Sequence, residues 1–240
     1  MAGHSKWANI RHRKGAQDKK RAKIFTKLIK EITISSRLGG GDLSSNPRLR
    51  KAVSNAKSSN LSADKIERAI KKGTGELEGV IYEEMTYEGY GPGGVAILMD
   101  IITDNKNRTV AEIRHLLSKF DGNLGENGSV SWMFDKTGQI IMESKLGSED
   151  TVFEDAIDAG AEDFYVDDDF YLVSTSVDQL MEIRDRLEDV GYDIKSAEIE
   201  MVPKTNQILN DLEAKKVLKL LDALDDNDDV NKVYTNFNFD

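Results

Sequence analysis

Apolar positions recur every three to four residues in the first third of this chain, and the spacing changes to two after Gly79. Phe25, Leu28, Ile29 and Ile32 stand at i, i+3, i+4 and i+7, which predicts a helix from about Ala16 to Ser36. Lys20, Lys23, Lys27 and Lys30 fall almost opposite that stripe, so one face is expected to pack and the other to form a charged ridge. Gly39-Gly40-Gly41 ends the helix. Ser45 or Asn46 then caps a second helix with Pro47 in its first turn and Leu49, Ala52, Val53 and Ala56 facing inward. A third helix reads from Ser62, its N-cap, with Asp64 suited to the dipole, Ile66, Ala69 and Ile70 inside, and Lys71-Lys72 before a terminating Gly73.

Val80 to Tyr87 and Val95 to Thr103 read as two strands of a hairpin joined by EGYGPGG. Asn107 to Phe120 follows as a helix with Val110, Ile113, Leu116 and Leu117 on one side, and Ser129 to Phe134 as a strand after the loop GNLGENG. Residues 138 to 203 then repeat a second series: strand 139–142, helix 149–159, strands 163–166 and 170–175, helix 177–190 and strand 194–202. That order, β-α-β-β-α-β, is the ferredoxin-like plan. A helix from about Asn206 to Leu224 and a strand near Lys232 to Phe239 close the chain. The expected fold is α+β, a basic three-helix N-terminal domain followed by two ferredoxin-like domains, one inserted into the other. Its boundaries are 1–78, 79–135 with 204–240, and 136–203 for the insert.

Charge changes the picture. The chain of 240 residues carries −10 overall, yet residues 1–75 hold 19 basic and 5 acidic side chains, which leaves 14 basic and 38 acidic for the remainder. A basic body and an acidic one share a single chain, and the basic one calls for a polyanionic partner. With 39% hydrophobic and 32% charged residues the composition is that of a folded protein rather than a disordered one. Cys is absent, which excludes disulfides, thiolate nucleophiles and Cys-containing zinc sites and fits a reducing compartment. No apolar run approaches the roughly 20 residues of a spanning helix, and no apolar h-region follows the basic start. An Arg-rich beginning imitates a transit peptide, but Asp18 argues against a cleavable one, so the expected location is the cytoplasm, with no membrane partner.

Several segments imitate catalytic motifs. Gly89-Tyr90-Gly91-Pro92-Gly93-Gly94 matches G-x-G-x-x-G, but a dinucleotide site needs a helix after it and a strand follows here, so a hairpin loop is expected. No P-loop pattern occurs. Asp167 to Asp169 and the run Asp225-Asp226-Asn227-Asp228-Asp229 lack the turn Gly and final Glu of an EF-hand and read as solvated turns rather than Ca²⁺ or Mg²⁺ sites. His4, His12 and His115 are the only imidazoles and supply no zinc spacing or nucleophile-base pair, with His115 expected on a helix surface. Trp132, inside a strand-like run, is expected in the core. No metal, cofactor or catalytic residue is therefore assigned. Glu83, Glu84 and Asp100 are the carboxylates that a fold of this kind could bring together for an enzyme or ligand sensor.

The N-terminal arm is different, because His4, Lys6, Trp7, Arg11, His12, Arg13 and Lys14 interleave cations with an aromatic ring. Lys and Arg neutralise phosphates with release of counterions, an Arg fork can bond a base edge, and Trp7 can stack on an unpaired base. The candidate nucleic-acid-binding set is Lys6, Trp7, Arg11, His12, Arg13, Lys14, Lys20, Lys23, Lys27 and Lys30. The segments MAGHSKWANIRHRKGAQDKKRAKIFTKLIKEI, ERAIKKGTGE, YEGYGPGGVA and TDNKNRTVAEIRHLLSKFDGNLGENGSVSWMF resemble the YebC/PmpR family, while the acidic insert and tail match more loosely. The resemblance implies a three-domain α+β architecture and a non-enzymatic regulator of gene expression. Members are usually described as DNA-binding transcriptional regulators, and others, a mitochondrial relative among them, resemble translation factors that act at the ribosome. DNA and ribosomal RNA both stand as expected partners. An adaptor that uses the acidic surface of residues 143–240 is a further alternative, and oligomeric state is not encoded in any motif.

Overall fold

The computed structural model describes residues 17–143, 148–167 and 170–237, with side chains from Ala22 onward except that of Asp167. They gather into two compact units, one from residues 17–131 and 207–237 and the other from 132–206. The architecture is mixed α+β, with a helical N-terminal region and two four-stranded antiparallel sheets.

The first unit begins with helices α1 (Gln17–Gly39), α2 (Pro47–Ser58) and α3 (Ala63–Thr74). Asn46 is the N-cap of α2: its Oδ1 accepts from the Leu49 N–H at 3.0 Å, and its Nδ2 donates to the carbonyls of Ser35 and Gly40 at 2.9 and 2.8 Å. One buried amide thus closes the end of α1 and opens α2. Ile32, Leu49, Ala52, Val53, Ala56, Leu61, Ile66 and Ala69 form the module's core, with Phe25, Leu28 and Ile29 packed against it. Gly73 does not terminate α3, contrary to the sequence reading. The helix runs through it to Thr74 and is capped by Gly75 in the left-handed conformation at φ 85°. A Cβ on Gly73 would overlap Ser36 Oγ and the Thr33 carbonyl, so glycine is there to let α1 and α3 approach closely.

The same unit continues with β1 (Glu83–Tyr90), β2 (Ala96–Thr103), α4 (Lys106–Lys119) and β3 (Asn123–Leu124). The GYGPGG loop is the turn between β1 and β2, with a short 3₁₀ turn at Pro92–Gly94, as a hairpin requires. After the second unit the chain returns with α7 (Asp211–Asp225) and β8 (Val230–Thr235), and β8 pairs antiparallel with β2 to give the strand order β3-β1-β2-β8. Val95, Ile97, Met99 and Ile101 alternate onto the face covered by α4 and α7, where they meet Ile113, Leu117, Val217, Leu220, Leu221 and Leu224.

The strand expected at residues 129–134 is absent; Ser131–Met133 is a 3₁₀ turn. Its cause is Glu88, a buried carboxylate that accepts from the N–H groups of Gly128, Val130 and Ser131 at 2.7, 2.7 and 2.8 Å and so takes the amides a ladder would use. Trp132 is correspondingly 65% exposed rather than in the core.

The second unit holds β4 (Phe134–Glu143), α5 (Glu149–Ala159), β5 (Asp163–Asp167), β6 (Phe170–Thr175), α6 (Leu180–Val190) and β7 (Ile194–Pro203). Its order β5-β6-β4-β7, all antiparallel, is the ferredoxin-like arrangement. Ile140, Met142, Tyr171 and Val173 meet Val152, Ala156, Ile183 and Leu187 of its helices, and Phe164 stacks on Tyr171 at 5.4 Å.

Candidate nucleic-acid interface

Among the described side chains, the lysine ridge of α1 is not a free surface. Lys23, Lys27 and Lys30 each reach the acidic turn at the C-terminus of α7. Lys23 Nζ donates to the Asp226 carbonyl at 2.9 Å, and Lys27 Nζ to the Asp225 carbonyl at 2.5 Å and its carboxylate at 3.3 Å. Lys30 Nζ donates to the carbonyls of Asp228 and Ile102 at 2.9 and 3.4 Å and to Asp229 Oδ1 at 2.5 Å. The final carbonyls of a helix lack intrahelical donors and carry its negative dipole end, so the ammonium groups of Lys23 and Lys27, one turn apart, are well matched to them, while Lys30 reaches the turn that follows. The run 225–229, expected as a solvated turn, is therefore the counter-charge of α1.

Lys30 and Asp229 are 7% and 3% exposed and form a buried ion pair. The second carboxylate oxygen of Asp229 accepts from Arg108 Nη2 and Thr109 Oγ1, both at 2.7 Å, and from Thr103 Oγ1 at 3.2 Å. Burial alone would raise the Asp229 pKa; the bonds from Lys30, Arg108 and Thr109 outweigh it and hold the group at about 2. The same contact, with that to Asp104, raises Arg108. A second clamp lies nearby: Arg48 of α2 bonds Glu31 of α1 at 2.7 Å and Glu84 of β1 at 2.7 Å. Lys30 is thus withdrawn from the expected surface set, Lys27 is largely covered, and Lys23 keeps a side chain 43% exposed.

Lys6, Trp7, Arg11, His12, Arg13 and Lys14, with His4, lie outside the described residues, as does the side chain of Lys20. Sequence reasoning passed over Lys65 and Arg68. With Lys72 they form an exposed i, i+3, i+7 stripe on α3, a signal present in the sequence but weaker than the lysine series of α1.

The alternative sites do not assemble. Glu83 pairs with Lys106 at 2.5 Å, Glu84 with Arg48, and Asp100 accepts from the Tyr234 hydroxyl at 3.1 Å, so these carboxylates are engaged separately. Glu88, which burial would raise, is lowered by its three backbone donors, so it and Asp229 both shift away from the direction an acid catalyst needs. Among the described residues no group of three or more His, Asp or Glu is arranged to hold a metal, and no helix is long and apolar enough to cross a membrane. His115 is exposed on α4. Asp168 and Asp169 lie outside the described residues.

Known proteins agree with this architecture over its whole length. The family profile described as the TACO1/YebC protein N-terminal domain matches residues 5–76, and that of the TACO1/YebC second and third domain matches residues 82–237. A relative from Desulfosudis oleivorans, described as a probable transcriptional regulatory protein, is 57% identical over 98% of this chain and 96% of its own. A protein of the same description from Geobacter sulfurreducens is 55% identical over 99% and 96%. The crystal structure of a conserved hypothetical protein from Aquifex aeolicus superposes with a TM-score of 0.86 at 46% identity and covers 97% of this chain and 96% of that one. With both domain profiles matched, and relatives more than half identical from end to end, the chain belongs to the TACO1/YebC family.

Proposed function

We propose that this protein is a non-enzymatic regulator of gene expression that binds nucleic acid through its basic N-terminal domain, residues 1–78, and acts in the cytoplasm. The observation that carries the reading is the segregation of charge, 19 basic against 5 acidic side chains in residues 1–75 of a chain whose net charge is −10. Relatives described as probable transcriptional regulatory proteins support the regulatory part. The residues assigned to phosphate and base contact are Lys6, Trp7, Arg11, His12, Arg13 and Lys14 of the arm, with Lys20 and Lys23 at the start of α1. The split domain, 79–135 with 204–240, supplies the acidic turn that orients α1, and 136–203 is an acidic module.

DNA is the partner that the relatives' description suggests. Ribosomal RNA is favoured by a different observation: Lys27 and Lys30 of α1 are engaged by the acidic turn rather than presented to a partner, which narrows the cationic face that a duplex needs on both sides of a groove. Ultraviolet crosslinking in growing cells, followed by sequencing of attached DNA and RNA, tests the proposal. The control replaces Lys6, Arg11, Arg13 and Lys14 by Glu. Enrichment of promoter DNA that the control loses supports transcriptional control, and enrichment of ribosomal RNA lost in the same way supports a translation factor. Enrichment of neither defeats the proposal.

A further inference from the structure

Several cations of the helical module are already engaged by hydrogen bonds or ion pairs within the protein, and others are left over. Lys23, Lys27 and Lys30 are held by the acidic turn, Arg37 donates to the Tyr82 carbonyl at 2.6 Å, Arg48 bridges two glutamates, Arg50 donates to the Leu43 carbonyl at 2.8 Å, and Lys71 pairs with Glu67 at 2.6 Å. Lys65, Arg68 and Lys72 have no acidic partner among the described residues. They lie within a narrow arc of α3 and span about 10 Å along its axis. Lys65 sits over the Phe25 ring at 5.9 Å, and the stem of Lys72 passes Gly79, where an added Cβ would stand 3.1 Å from its Cγ and Cδ. Both side chains rest on neighbouring surface, which lowers the entropy cost of holding an anion.

The other exposed flank of α3 carries Asp64 and Glu67, the latter paired with Lys71, so it holds one net negative charge. A helix seated in a major groove has phosphates on both sides, and those two carboxylates would face the second strand. The charge pattern is therefore complementary to one strand and offers no net positive charge to a second. Lys72 also lines a groove with Arg37, Gly73, Gly79, Val80, Ile81 and Tyr82. Val80 and Ile81 are 52% and 72% exposed there, an apolar surface against which an unstacked base can lie.

We infer that the Lys65, Arg68 and Lys72 face of α3, continued by the groove beside Gly79 to Tyr82, is the track for a single unpaired nucleic-acid strand. The inference rests on the proposed nucleic-acid function and adds the surface and the strandedness. Fluorescence anisotropy with labelled 12-nucleotide oligouridine, oligothymidine and a duplex of equal length, titrated from 50 to 200 mM salt, tests it. The full-length protein is compared with a Lys65→Gln, Arg68→Gln, Lys72→Gln variant and with an Asp64→Asn, Glu67→Gln variant. We expect an unpaired oligomer to bind more tightly than the duplex. At about 0.7 per phosphate contact, the first variant should lower the slope of log affinity against log salt by about 2. The second variant should gain duplex affinity relative to single strands, a readout that survives even if the first variant folds poorly. Wild-type binding with unchanged slope and affinity in the first variant overturns the track while leaving the function intact, and preferential duplex binding overturns the strandedness. No binding of any probe at 50 mM salt defeats the underlying functional reading instead.

Discussion

Asp229 is where a single atom group holds together parts of the chain far apart in sequence. Its carboxylate faces Lys30, Arg108, Thr109 and Thr103 inside the protein, so Asp229→Asn leaves a buried ammonium short of its counter-charge. We expect a loss of about 3 to 5 kcal/mol in urea unfolding at pH 7. The sign of the pH dependence follows from the direction of the shift. The folded group titrates at about 2 against 3.8 unperturbed, so its contribution is complete above about pH 4 and is lost as pH falls towards 2. The size is about 2 kcal/mol, and acid unfolding curves of the wild type should show that component while those of the Asn variant lack it. Glu88 does comparable work for the 128–131 loop. Glu88→Gln has one acceptor oxygen for three N–H groups, and amide hydrogen exchange at Gly128, Val130 and Ser131 should accelerate at least tenfold.

At the scale of elements, the helical module depends on one cap and one close approach. Asn46→Ala removes the bond to the Leu49 N–H and strands the carbonyls of Ser35 and Gly40, so a cost of about 2 to 4 kcal/mol is expected in thermal unfolding. Gly73 and Gly75 make a controlled comparison. Gly75→Ala meets only the left-handed backbone, with open space around its Cβ, and should cost about 1 kcal/mol. Gly73→Ala drives a methyl into the backbone of α1 and should cost more, about 2 to 3 kcal/mol, by forcing α1 from α3. Equal costs would mean that α3 tolerates displacement from α1. The lysine stripe of α1 belongs at this scale too, because it works as a unit against the end of α7 rather than as separate surface charges.

For the whole molecule the governing quantity is the separation of positive from negative charge. If the arm and helical module together neutralise six to ten phosphates, affinity for nucleic acid should fall about 10³ to 10⁵-fold between 50 and 200 mM salt. A titration that shows no salt dependence would count against a phosphate partner of any kind. Part of the acidic remainder is internal, since Asp225, Asp226 and Asp229 balance the lysines of α1.

Periodicity, caps and turn residues determined most of the elements without any structure. Asn46-Pro47 before Leu49 and the short apolar runs of β2 and β6 are signals carried within a few residues, and those elements stand where the pattern put them. The basic character of the N-terminal region was equally legible, since charge composition does not depend on packing. Tertiary structure alone decided which of those charges are available. Lys30 and Asp229 are 199 positions apart, and nothing local marks either as the other's partner. The 129–134 segment has strand-like residues, but Glu88 from another strand captures its amides, and Trp132 is left outside. Gly73 reads as a stop because glycine ends many helices, whereas here the approach of α1 requires it within the last turn and the cap falls on Gly75. In each case the deciding interaction joins residues distant in the chain, and its energy exceeds the local preference that the sequence displays.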